Sequence, residues 1–459
     1  MKYDPTHLDQ FKSRLALLPE NLTEIGIRDI FVGPGLRREV SKFIPHGSKV
    51  VLVMGNTPMF VNDENIKETI EEKLRGDFED VVKIELKHED CSGGMIHADF
   101  ENVEKVKKQL FADAVVVSIG SGTITDITKH ACYLFEKENE CKPLRFIVVQ
   151  TANTVTAFTS NIAVLLKDGV KRTYSSRYPD YVISDLEILR DAPYELTQAG
   201  FGDLIARYVS YPDWYLGWKV GNLGIYNEVP KDLLDESLEW LLENAEKVAE
   251  REPEAIKILT KALLNAGLSM SIIGMSTPIS GYEHVISHVL DMKAGVDRRE
   301  SDLHGIQVGI ASVLSAYVYE ELLGMDKFSL KFPEWPECEN RIRKNFRAKG
   351  FDDSSISEMI SDYKIKYDKW ISNQDEILKW AAKWSDEKLK INRLLKTGDE
   401  LKSAIQKIGI KTKLNENWEY AFLNAHFIRR RFTVADLLYF MGKLDDGLYV
   451  KVAGRVGVE

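Results

Sequence analysis

Cysteine is scarce in this chain: there are four in 459 residues, and no two of them are spaced as a CxxC pair. Four thiols at such spacings are too few for a disulfide framework. The chain also lacks an uninterrupted apolar run of about eighteen residues, so we expect no membrane span. Residues Met1–His7 lack the apolar core of a secretion signal. These absences lead us to expect a protein of the reducing cytoplasm.

Positive charge is also in deficit, with 61 Lys and Arg against 71 Asp and Glu and a net charge of −10. Because no long basic run offsets this balance, we expect neither nucleic acid nor an anionic membrane as a partner. The hydrophobic content of 44% is typical of a globular protein, and the length allows two or three domains. The composition is therefore that of an ordinary soluble globular protein.

Strand and helix patterns alternate through the first 190 residues. The chain is predicted to form strands at 29–32, 49–54, 81–86, 112–119, 145–149 and 181–185, with helical patterns at 36–44, 62–75, 100–109 and 127–133 between some of them. A hairpin turn is predicted at Lys167–Lys171. Alternation at this spacing predicts an α/β domain with a doubly wound parallel sheet. Helical patterns dominate from about Ala192, so we predict a Rossmann-like domain at 1–191 and an all-helical domain at 192–459.

A glycine turn, Gly120-Ser-Gly-Thr-Ile-Thr-Asp126, joins the most apolar strand to a helical segment. Such a turn can direct backbone N–H groups and a helix N-terminus at a pyrophosphate. Glycines also follow strands for packing reasons, and this alternative is favoured when the turn is considered alone. The hydroxyl-rich segment Gln150–Ser160 is either a polar loop or a surface for the nicotinamide ribose and the substrate.

Three histidines and one aspartate form a candidate metal site. His284 and His288 are four residues apart in a helical pattern, which places both imidazoles on one face. His304 follows, and Asp203 lies in a glycine-bracketed turn predicted to open a helix. One Asp with two or three His is the ligand set of an open catalytic divalent-metal site. The alternatives are a half-buried histidine without a metal and an aspartate that caps a helix.

Several collinear motifs between about residues 25 and 445 resemble sn-glycerol-1-phosphate dehydrogenases, within the iron-containing alcohol dehydrogenase and dehydroquinate synthase superfamily. The matching stretches are Ser118–Lys129, Ala199–Arg207 with Asp213-Trp214, Ser280–His288, Leu303–Gly309 and Ile428–Leu437. The resemblance implies a Rossmann-like dinucleotide domain, a helical domain and an active-site cleft between them.

The resemblance also implies roles for individual residues. It implies Asp203, His284 and His304 as metal ligands and His288 as a neighbour of substrate or nicotinamide, able to relay a proton. The implied metal is divalent, with zinc favoured and nickel or iron as alternatives. The implied cofactor is NAD or NADP. Dinucleotide-binding positions are implied at Asn56, Gly120, Ser121, Gly122, Thr123, Asp126, Lys129, Thr151 and Thr154.

Three departures from the family pattern fall at cofactor-facing or substrate-facing positions. The strand that usually ends in a ribose-binding aspartate ends here in Met54-Gly55, which leaves NAD, NADP or no dinucleotide as open alternatives. The family's Ser-x-Asp-Gly is replaced by Thr154-Val-Thr-Ala157, and its Ser-Arg-Pro by Ser276-Thr-Pro278. Because the metal set is intact, we infer a family member with an altered substrate.

The expected activity is therefore a metal-dependent, NAD(P)-linked interconversion of a small alcohol, such as a polyol or polyol phosphate, and its carbonyl form. Two alternatives stay open: a sugar-phosphate cyclase or lyase resembling dehydroquinate synthase, and a nucleotide-binding protein without catalysis. His426 beside Arg429, Arg430 and Arg431 is a candidate phosphate pocket, although a basic helix end serving the helix dipole is the favoured explanation. The oligomeric state is open, with a homodimer as one candidate.

Overall fold

The computed structural model describes residues 2–18, 22–88, 96–167, 170–411 and 413–457. The predicted turn at Lys167–Lys171 falls partly outside these residues, at Asp168 and Gly169, and Cys91 also lies outside them. The strands are β1 Asp29–Gly33, β2 Val50–Gly55, β3 Phe60–Val61, β4 Glu64–Asn65, β5 Val81–Leu86, β6 Val115–Gly120, β7 Arg145–Gln150, β8 Ile162–Lys167, β9 Val170–Ser175 and β10 Tyr181–Asp185.

Helices account for most of the rest of the chain. They are α1 Leu8–Ala16, α2 Ile66–Asp77, α3 Phe100–Lys107, α4 Gly122–Glu138, α5 Leu186–Asp191, α6 Tyr194–Ile205, α7 Arg207–Lys219, α8 Val229–Asp232, α9 Asp235–Glu243, α10 Ala245–Ala249, α11 Pro253–Ile273, α12 Tyr282–Val296, α13 His304–Leu323, α14 Trp335–Ala348, α15 Asp353–Ser372, α16 Gln374–Ala381, α17 Trp384–Asn392, α18 Gly398–Lys407, α19 Glu416–Asn424, α20 Val434–Phe440 and α21 Asp446–Val456. Short 3-10 helices lie at Leu36–Phe43, Thr277–Ile279 and Ala425–Ile428.

Six parallel strands form the main sheet, in the order β1-β10-β7-β6-β2-β5. The residues of β2 and β6 are buried on both faces, as in sheets covered by helices on each side. On one face, Val50, Leu52 and Met54 pack with Ile70 and Leu74 of α2. The predicted doubly wound parallel sheet followed by a largely helical region is confirmed. The strand ends at Gly55, Gly120 and Gln150 share one edge of the sheet because β2, β6 and β7 are neighbours.

The chain folds into two compact units that differ from the predicted division after residue 191. The first comprises Met1–Lys167, Lys171–Gly200 and Asp232–Ser276, and the second comprises Asp168–Val170, Phe201–Lys231 and Thr277–Glu459. The first unit thus contains the main sheet together with α9, α10 and α11. The helix α11 contacts β1 and α5 within this unit. A sequence pattern identifies α11 as helical, but only its packing partners decide the unit to which it belongs.

Among the described residues, one helix, α11, is long and apolar enough to cross a membrane by length and composition. Within its most apolar window, 83% of the residues are buried inside the protein. A helix that is apolar on all sides and covered by protein is typical of a domain core.

In the charged region 325–400, the side chains of Trp370, Trp380 and Trp384 are buried and most charged side chains face solvent, as expected for a solvated helical bundle.

One local prediction was wrong. Asp203 does not open a helix after a glycine turn; it lies inside α6, and Gly200 and Gly202 are helical as well. Glycine in a helix interior costs about 1 kcal/mol relative to alanine, which made a turn the better prediction. Tertiary contact explains the exception, because a Cβ on Gly202 would lie 2.1 Å from the Gly305 carbonyl oxygen.

Candidate functional site

Asp203, His284 and His304 converge in the second unit. One potential ligand atom from each lies within 4.8 Å of the other two. The Nε2 atom of His284 is 3.2 Å and that of His304 is 3.9 Å from Asp203 Oδ1. Tetrahedral zinc with bonds near 2.1 Å separates its ligand atoms by about 3.4 Å, so adjustments on the order of 1 Å would let all three share an ion. The three helices α6, α12 and α13 each contribute one of these residues.

A buried carboxylate, Glu283, orients His284 from the other side. Its Oε1 lies 2.8 Å from His284 Nδ1, and the residue has no exposed surface. Because a carboxylate only accepts hydrogen bonds, Nδ1 carries the proton and the Nε2 lone pair faces Asp203. Two acceptors that face each other need a proton or a cation between them. A ligating histidine held by a second carboxylate is the arrangement found in many metal sites.

The pKa of His284 reflects the same concentration of negative charge. Burial alone would lower this pKa, but the hydrogen bonds to Asp203 and Glu283 outweigh it and raise the pKa to about 9. The imidazole therefore sits where positive charge is strongly favoured. A divalent cation would satisfy the same demand, and the donor set of one carboxylate and two imidazoles suits zinc, iron or nickel.

His304 is oriented in a parallel manner by a hydroxyl group. The Ser287 Oγ atom lies 2.7 Å from His304 Nδ1, and Ser287 is fully buried on α12. With Nδ1 engaged, Nε2 is the ring nitrogen that remains for the cluster. Both histidines of the candidate triad thus approach Asp203 through Nε2 while Nδ1 is held by a neighbour.

Close packing of two helix backbones brings Asp203 and His304 together. The Cβ that Gly202 lacks would lie 2.1 Å from Gly305 O, and the one that Gly309 lacks would lie 3.0 Å from Gly202 Cα. The helices α6 and α13 therefore touch backbone to backbone at positions directly adjacent to both candidate ligands. Side chains at these glycines would force the two helices apart.

His288 lies beside the triad, one helical turn beyond His284 on α12. Its ring stacks on that of His304, with 5.5 Å between centroids and 13° between planes, and is 6.3 Å from that of His284. The predicted placement of His284 and His288 on one helix face is confirmed. Arg429 Nη2 lies 2.9 Å from His288 Nδ1. Since a guanidinium only donates, Nδ1 accepts and Nε2 carries the proton of a neutral imidazole.

Asp213, on α7, anchors the start of α12. It accepts hydrogen bonds from the backbone N–H groups of Tyr282 at 2.6 Å and Val434 at 2.7 Å, the first residues of α12 and α20. It also accepts from the Tyr319 hydroxyl. Burial, followed by the nearby Glu283 charge, raises the Asp213 pKa to about 8 against the opposing effect of these hydrogen bonds. One carboxylate thereby caps two helices, including the one that carries His284 and His288.

We predict that Glu283→Gln lowers metal affinity by about 10- to 100-fold, because the amide cannot supply the negative charge that holds His284 Nδ1–H. Ser287→Ala should act in the same direction through His304, with a smaller effect since it removes an uncharged partner. The measurement is metal retention during titration with a chelator. Equal metal affinity in wild type and Glu283→Gln would show that this carboxylate does not support a ligand.

The predicted dinucleotide-binding residues gather at the carboxyl edge of the main sheet, in the first unit. Asn56 follows β2, the segment from Gly120 to Thr123 joins β6 to α4, and Thr151 follows β7. Ser121 occupies the N-cap position of α4, and its side chain makes no capping hydrogen bond. The Thr151 hydroxyl is buried without a hydrogen-bond partner in the described part of the chain. The carboxyl edge of a parallel sheet is the usual place for a ligand in such folds.

Both glycines of the turn have a packing reason of their own. A Cβ on Gly120 would lie 2.5 Å from Ile124 Cβ, and one on Gly122 would lie 2.4 Å from Val155 Cγ2. The glycines alone therefore do not indicate a phosphate. What supports a dinucleotide is their position, between a central strand and the N-terminus of the 17-residue helix α4.

Lys129 and Asp126 form a buried brace. The Lys129 ammonium donates to Asp126 Oδ1 (3.1 Å), Ala157 O (2.7 Å) and Ile162 O (2.9 Å), and Asp126 Oδ2 accepts from Val164 N (3.1 Å). An ammonium has three protons, so a phosphate would have to replace one of these partners. We interpret the pair as a link from α4 to β8 and the preceding loop. Its predicted contact with a dinucleotide stays a prediction.

Comparison with known proteins identifies the family. A family model described as iron-containing alcohol dehydrogenase matches residues 33–193. A glycerol-1-phosphate dehydrogenase [NAD(P)+] of Bacillus velezensis is 29% identical over 319 residues, which cover 68% of this chain and 77% of that protein. One of the same name from Bacillus subtilis is 34% identical over 218 residues, 47% of this chain and 53% of that protein. These matches are to iron-containing alcohol dehydrogenases and, within them, to glycerol-1-phosphate dehydrogenases.

The fold of this superfamily extends over nearly the whole chain. An archaeal halo-thermophilic alcohol dehydrogenase from a Red Sea brine pool superimposes with a TM-score of 0.57 at 15% identity, covering 96% of this chain and 99% of that one. The resemblance to the glycerol-1-phosphate dehydrogenase family drawn from the motifs is confirmed by the sequence relatives. Several of them match this chain over about half of their own length.

The superfamily's ribose-binding strand end differs here in a way the sequence did not reveal. Met54 is 1% exposed and lies in the apolar core with α2, so an aspartate at this position would bury a charge. The residues that reach the sheet edge are Gly55 and the partly exposed Asn56. Lys67 Nζ donates to Gly55 O and Thr57 O, each at 2.6 Å, and burial lowers the Lys67 pKa to about 8. A buried cation thus fixes this loop of the dehydrogenase fold.

Sequence reasoning missed the residues that support the triad. Glu283 directly precedes His284, and neighbours one residue apart do not normally face each other on a helix, so periodicity gave no signal. Asp213 was part of a matching motif without an assigned role. Ser287 and Arg429 are distant in sequence from the residues they contact, His304 and His288.

Proposed function

We propose that this protein is a metal-dependent, NAD(P)-linked oxidoreductase that interconverts a small alcohol, a polyol or polyol phosphate, and its carbonyl form. The observation that carries the proposal is the convergence of Asp203, His284 and His304, with Nδ1 of each histidine held by a buried neighbour. The names of the sequence relatives point to glycerol 1-phosphate as the substrate class. We place the activity in the cytoplasm.

Asp203 Oδ1 and Nε2 of His284 and His304 would hold the divalent cation, with zinc the favoured ion. When bound, the cation supplies Lewis-acid chemistry, which favours the alkoxide over the alcohol and polarises a carbonyl. Glu283 and Ser287 keep both Nε2 atoms directed at the carboxylate. The buried acidic groups Asp203 and Glu283 make the surroundings favourable to a cation.

His288 would hold and move the proton. With Nδ1 accepting from Arg429, the Nε2–H is the group able to donate to a substrate oxygen beside the triad. Its stacking on His304 fixes the ring plane. In the oxidation direction Nε2 would have to accept the alcohol proton, which requires the other tautomer, with the proton on Nδ1 and the contact with Arg429 broken.

NAD or NADP would be the hydride acceptor or donor. The first unit offers Asn56, the turn from Gly120 to Thr123, Thr151 and Thr154 at or just beyond the carboxyl ends of adjacent strands. The names of the relatives include both NAD and NADP, so they do not decide between the two cofactors for this protein. The absence of a carboxylate after Val53 removes the group that would repel the 2′-phosphate of NADP.

The test is an assay of zinc-, nickel- or iron-loaded protein with NADH and NADPH separately, against dihydroxyacetone phosphate, dihydroxyacetone and a panel of small aldehydes. We expect metal-dependent oxidation of at least one cofactor, which is lost on chelation and regained when metal is restored. Reduction that persists at full rate after chelation would contradict the metal-dependent mechanism. Cofactor binding without turnover of any carbonyl compound would favour a cyclase, a lyase or a binding protein instead.

A further inference from the structure

The segment around His426, a candidate phosphate pocket in the sequence, is filled by the protein itself. Lys366 Nζ donates to Asp436 Oδ1 at 2.7 Å and to the carbonyls of His426 and Arg431. His426 Nδ1 lies 3.1 Å from Asp436 Oδ1, and burial lowers the His426 pKa to about 4 despite that contact. His426 is therefore an uncharged core residue and not part of a phosphate pocket.

An open surface of a different kind lies at one edge of the main sheet, in the first unit. The strand β5 is the last strand of this sheet and pairs with β2 alone among the described strands. Val82, Lys83 and Glu85 of this strand are exposed. Because an edge strand presents backbone N–H and C=O groups that its own sheet does not use, it can pair with a strand of another chain.

The hydrogen bonds to β2 show which backbone groups of β5 face outwards. Val50 N of β2 donates to Asp80 O, and in a parallel ladder every second residue of a strand bonds to the same neighbour. The even-numbered residues of β5 therefore bond to β2, and the N–H and C=O groups of Lys83 and Glu85 point away from the sheet. The Val81 carbonyl belongs to the same outward set and accepts from an arginine side chain of α2 at 3.1 Å.

Side-chain charges distinguish the ways in which a second copy of β5 could pair with the first. In an antiparallel pair about a twofold axis, an axis at Lys83 would place two lysines opposite each other, and an axis at Glu85 would place two glutamates opposite each other. With the axis at Ile84, Lys83 of each copy faces Glu85 of the other. Opposite charges directly across a strand pair stabilise it, and like charges destabilise it.

We propose that β5 is a homodimer interface, in which two copies pair antiparallel about Ile84 and join their six-stranded sheets into one continuous sheet. Lys83 would then exchange backbone hydrogen bonds with Glu85 of the second copy, on both sides of the axis. On the other face of the sheet, Val82, which is 37% exposed, would lie opposite Leu86. This interface is independent of the proposed function.

The charges on β5 also restrict pairing to this register. Charged side chains on an edge strand normally prevent association with other chains. Within one copy, Lys83 Nζ lies 3.0 Å from a Glu71 carboxylate oxygen and 3.1 Å from one of Glu85, so a single chain already satisfies these charges. The same charges disfavour the registers centred on Lys83 or Glu85 and leave the one centred on Ile84. A twofold axis closes the assembly at a dimer.

The test is a charge reversal followed by a charge swap on β5. Lys83→Glu places glutamates opposite each other on both sides of the axis, and we expect the dimer dissociation constant to rise by about 10- to 100-fold. Adding Glu85→Lys restores opposite charges across the axis, so the double variant should regain most of the wild-type affinity. Both variants lose the contact with Glu71, which therefore cannot explain the recovery. The measurement is sedimentation equilibrium over a concentration series.

The matched control is Lys257→Glu, the same charge change on α11, a helix that contacts β1 at the opposite edge of the sheet. It should leave the dissociation constant unchanged. Glu85→Pro tests the backbone contacts, because it removes an N–H that points away from β2 and proline is tolerated at such edge positions. We expect this variant to be a folded monomer, with thermal unfolding close to that of the wild type.

A wild-type chain that stays monomeric throughout the series would overturn the proposal. A dimer with the same dissociation constant in Lys83→Glu and Lys257→Glu would also overturn it, because the copies would then associate through another surface. If the charge swap does not restore association, the register about Ile84 is rejected. Hydrogen exchange provides an independent measurement: the Lys83 amide should exchange more slowly in the concentrated dimer than in the diluted monomer, and equal rates would contradict strand pairing.

Discussion

Replacing His284 with alanine should abolish metal binding and turnover together. The Nε2 atom of this residue lies 3.2 Å from Asp203 Oδ1, and the carboxylates of Asp203 and Glu283 raise its pKa to about 9 against the effect of burial. Removing the imidazole leaves two ligands and a buried Glu283 that has lost its hydrogen bond to the ring. We expect metal affinity to fall by more than about 100-fold, beyond the effect of losing an orienting neighbour. Activity should fall by at least about 1000-fold, the equivalent of several kcal/mol of transition-state stabilisation.

The matched control is His288→Ala, four residues along the same helix face and outside the triad. It should retain metal while losing activity, because its proposed role is proton transfer. Metal content measured by mass spectrometry and turnover measured on the same samples separate the two roles. Turnover by metal-free His284→Ala, or equal metal loss in both variants, would refute the assignment of the ligands.

Replacing Gly202 with alanine should separate α6 from α13 and disable the site without touching a candidate ligand. The new Cβ would lie 2.1 Å from the Gly305 carbonyl oxygen, a backbone atom that has no rotamer to change. Overpacking of this kind costs about 1–3 kcal/mol and shifts backbone. Because Asp203 and His304 directly adjoin the contact, we expect weakened metal binding together with a lower melting temperature.

Gly295→Ala is the control for this second prediction. Gly295 also lies in a helix of the site, α12, and a Cβ there would meet nothing within 4 Å. Alanine at an unobstructed helix position should leave stability unchanged or raise it by up to about 1 kcal/mol. Thermal unfolding and chelator titration measure both effects. If Gly202→Ala has the same thermal stability and the same metal affinity as Gly295→Ala, the backbone contact does not position the ligands.

Local patterns predicted the elements of this protein well where one physical signal was sufficient. The buried strands β2, β6 and β7 were found within a few residues because apolar runs between turns are self-contained signals. The placement of His284 and His288 on one face followed from helical periodicity alone.

What local patterns left wrong or undecided has one cause. Asp203 was expected to open a helix because two glycines lie just before it. Local propensity does not show that the carbonyl group of Gly305, about a hundred residues further along the chain, leaves no room for a Cβ at Gly202. Met54 was identified as the end of a strand, but whether its side chain faces the core or the sheet edge depends on α2. The expected contact of Lys129 with a phosphate stays a prediction; four oxygen atoms of its own unit surround the ammonium, which no local pattern shows.

The sequence by itself determined the chemistry available to this protein: one carboxylate and two imidazoles of the types that can bind a divalent ion, a glycine turn after a central strand, and the order of strands and helices. These follow from residue type and short-range periodicity, which are properties of the local sequence. Only the tertiary structure decided which partners act on those groups. Glu283 and Ser287 fix the histidines, Asp213 caps their helix, and Arg429 reaches His288. Such contacts depend on helix crossings set by packing over the whole fold, and no local pattern encodes them.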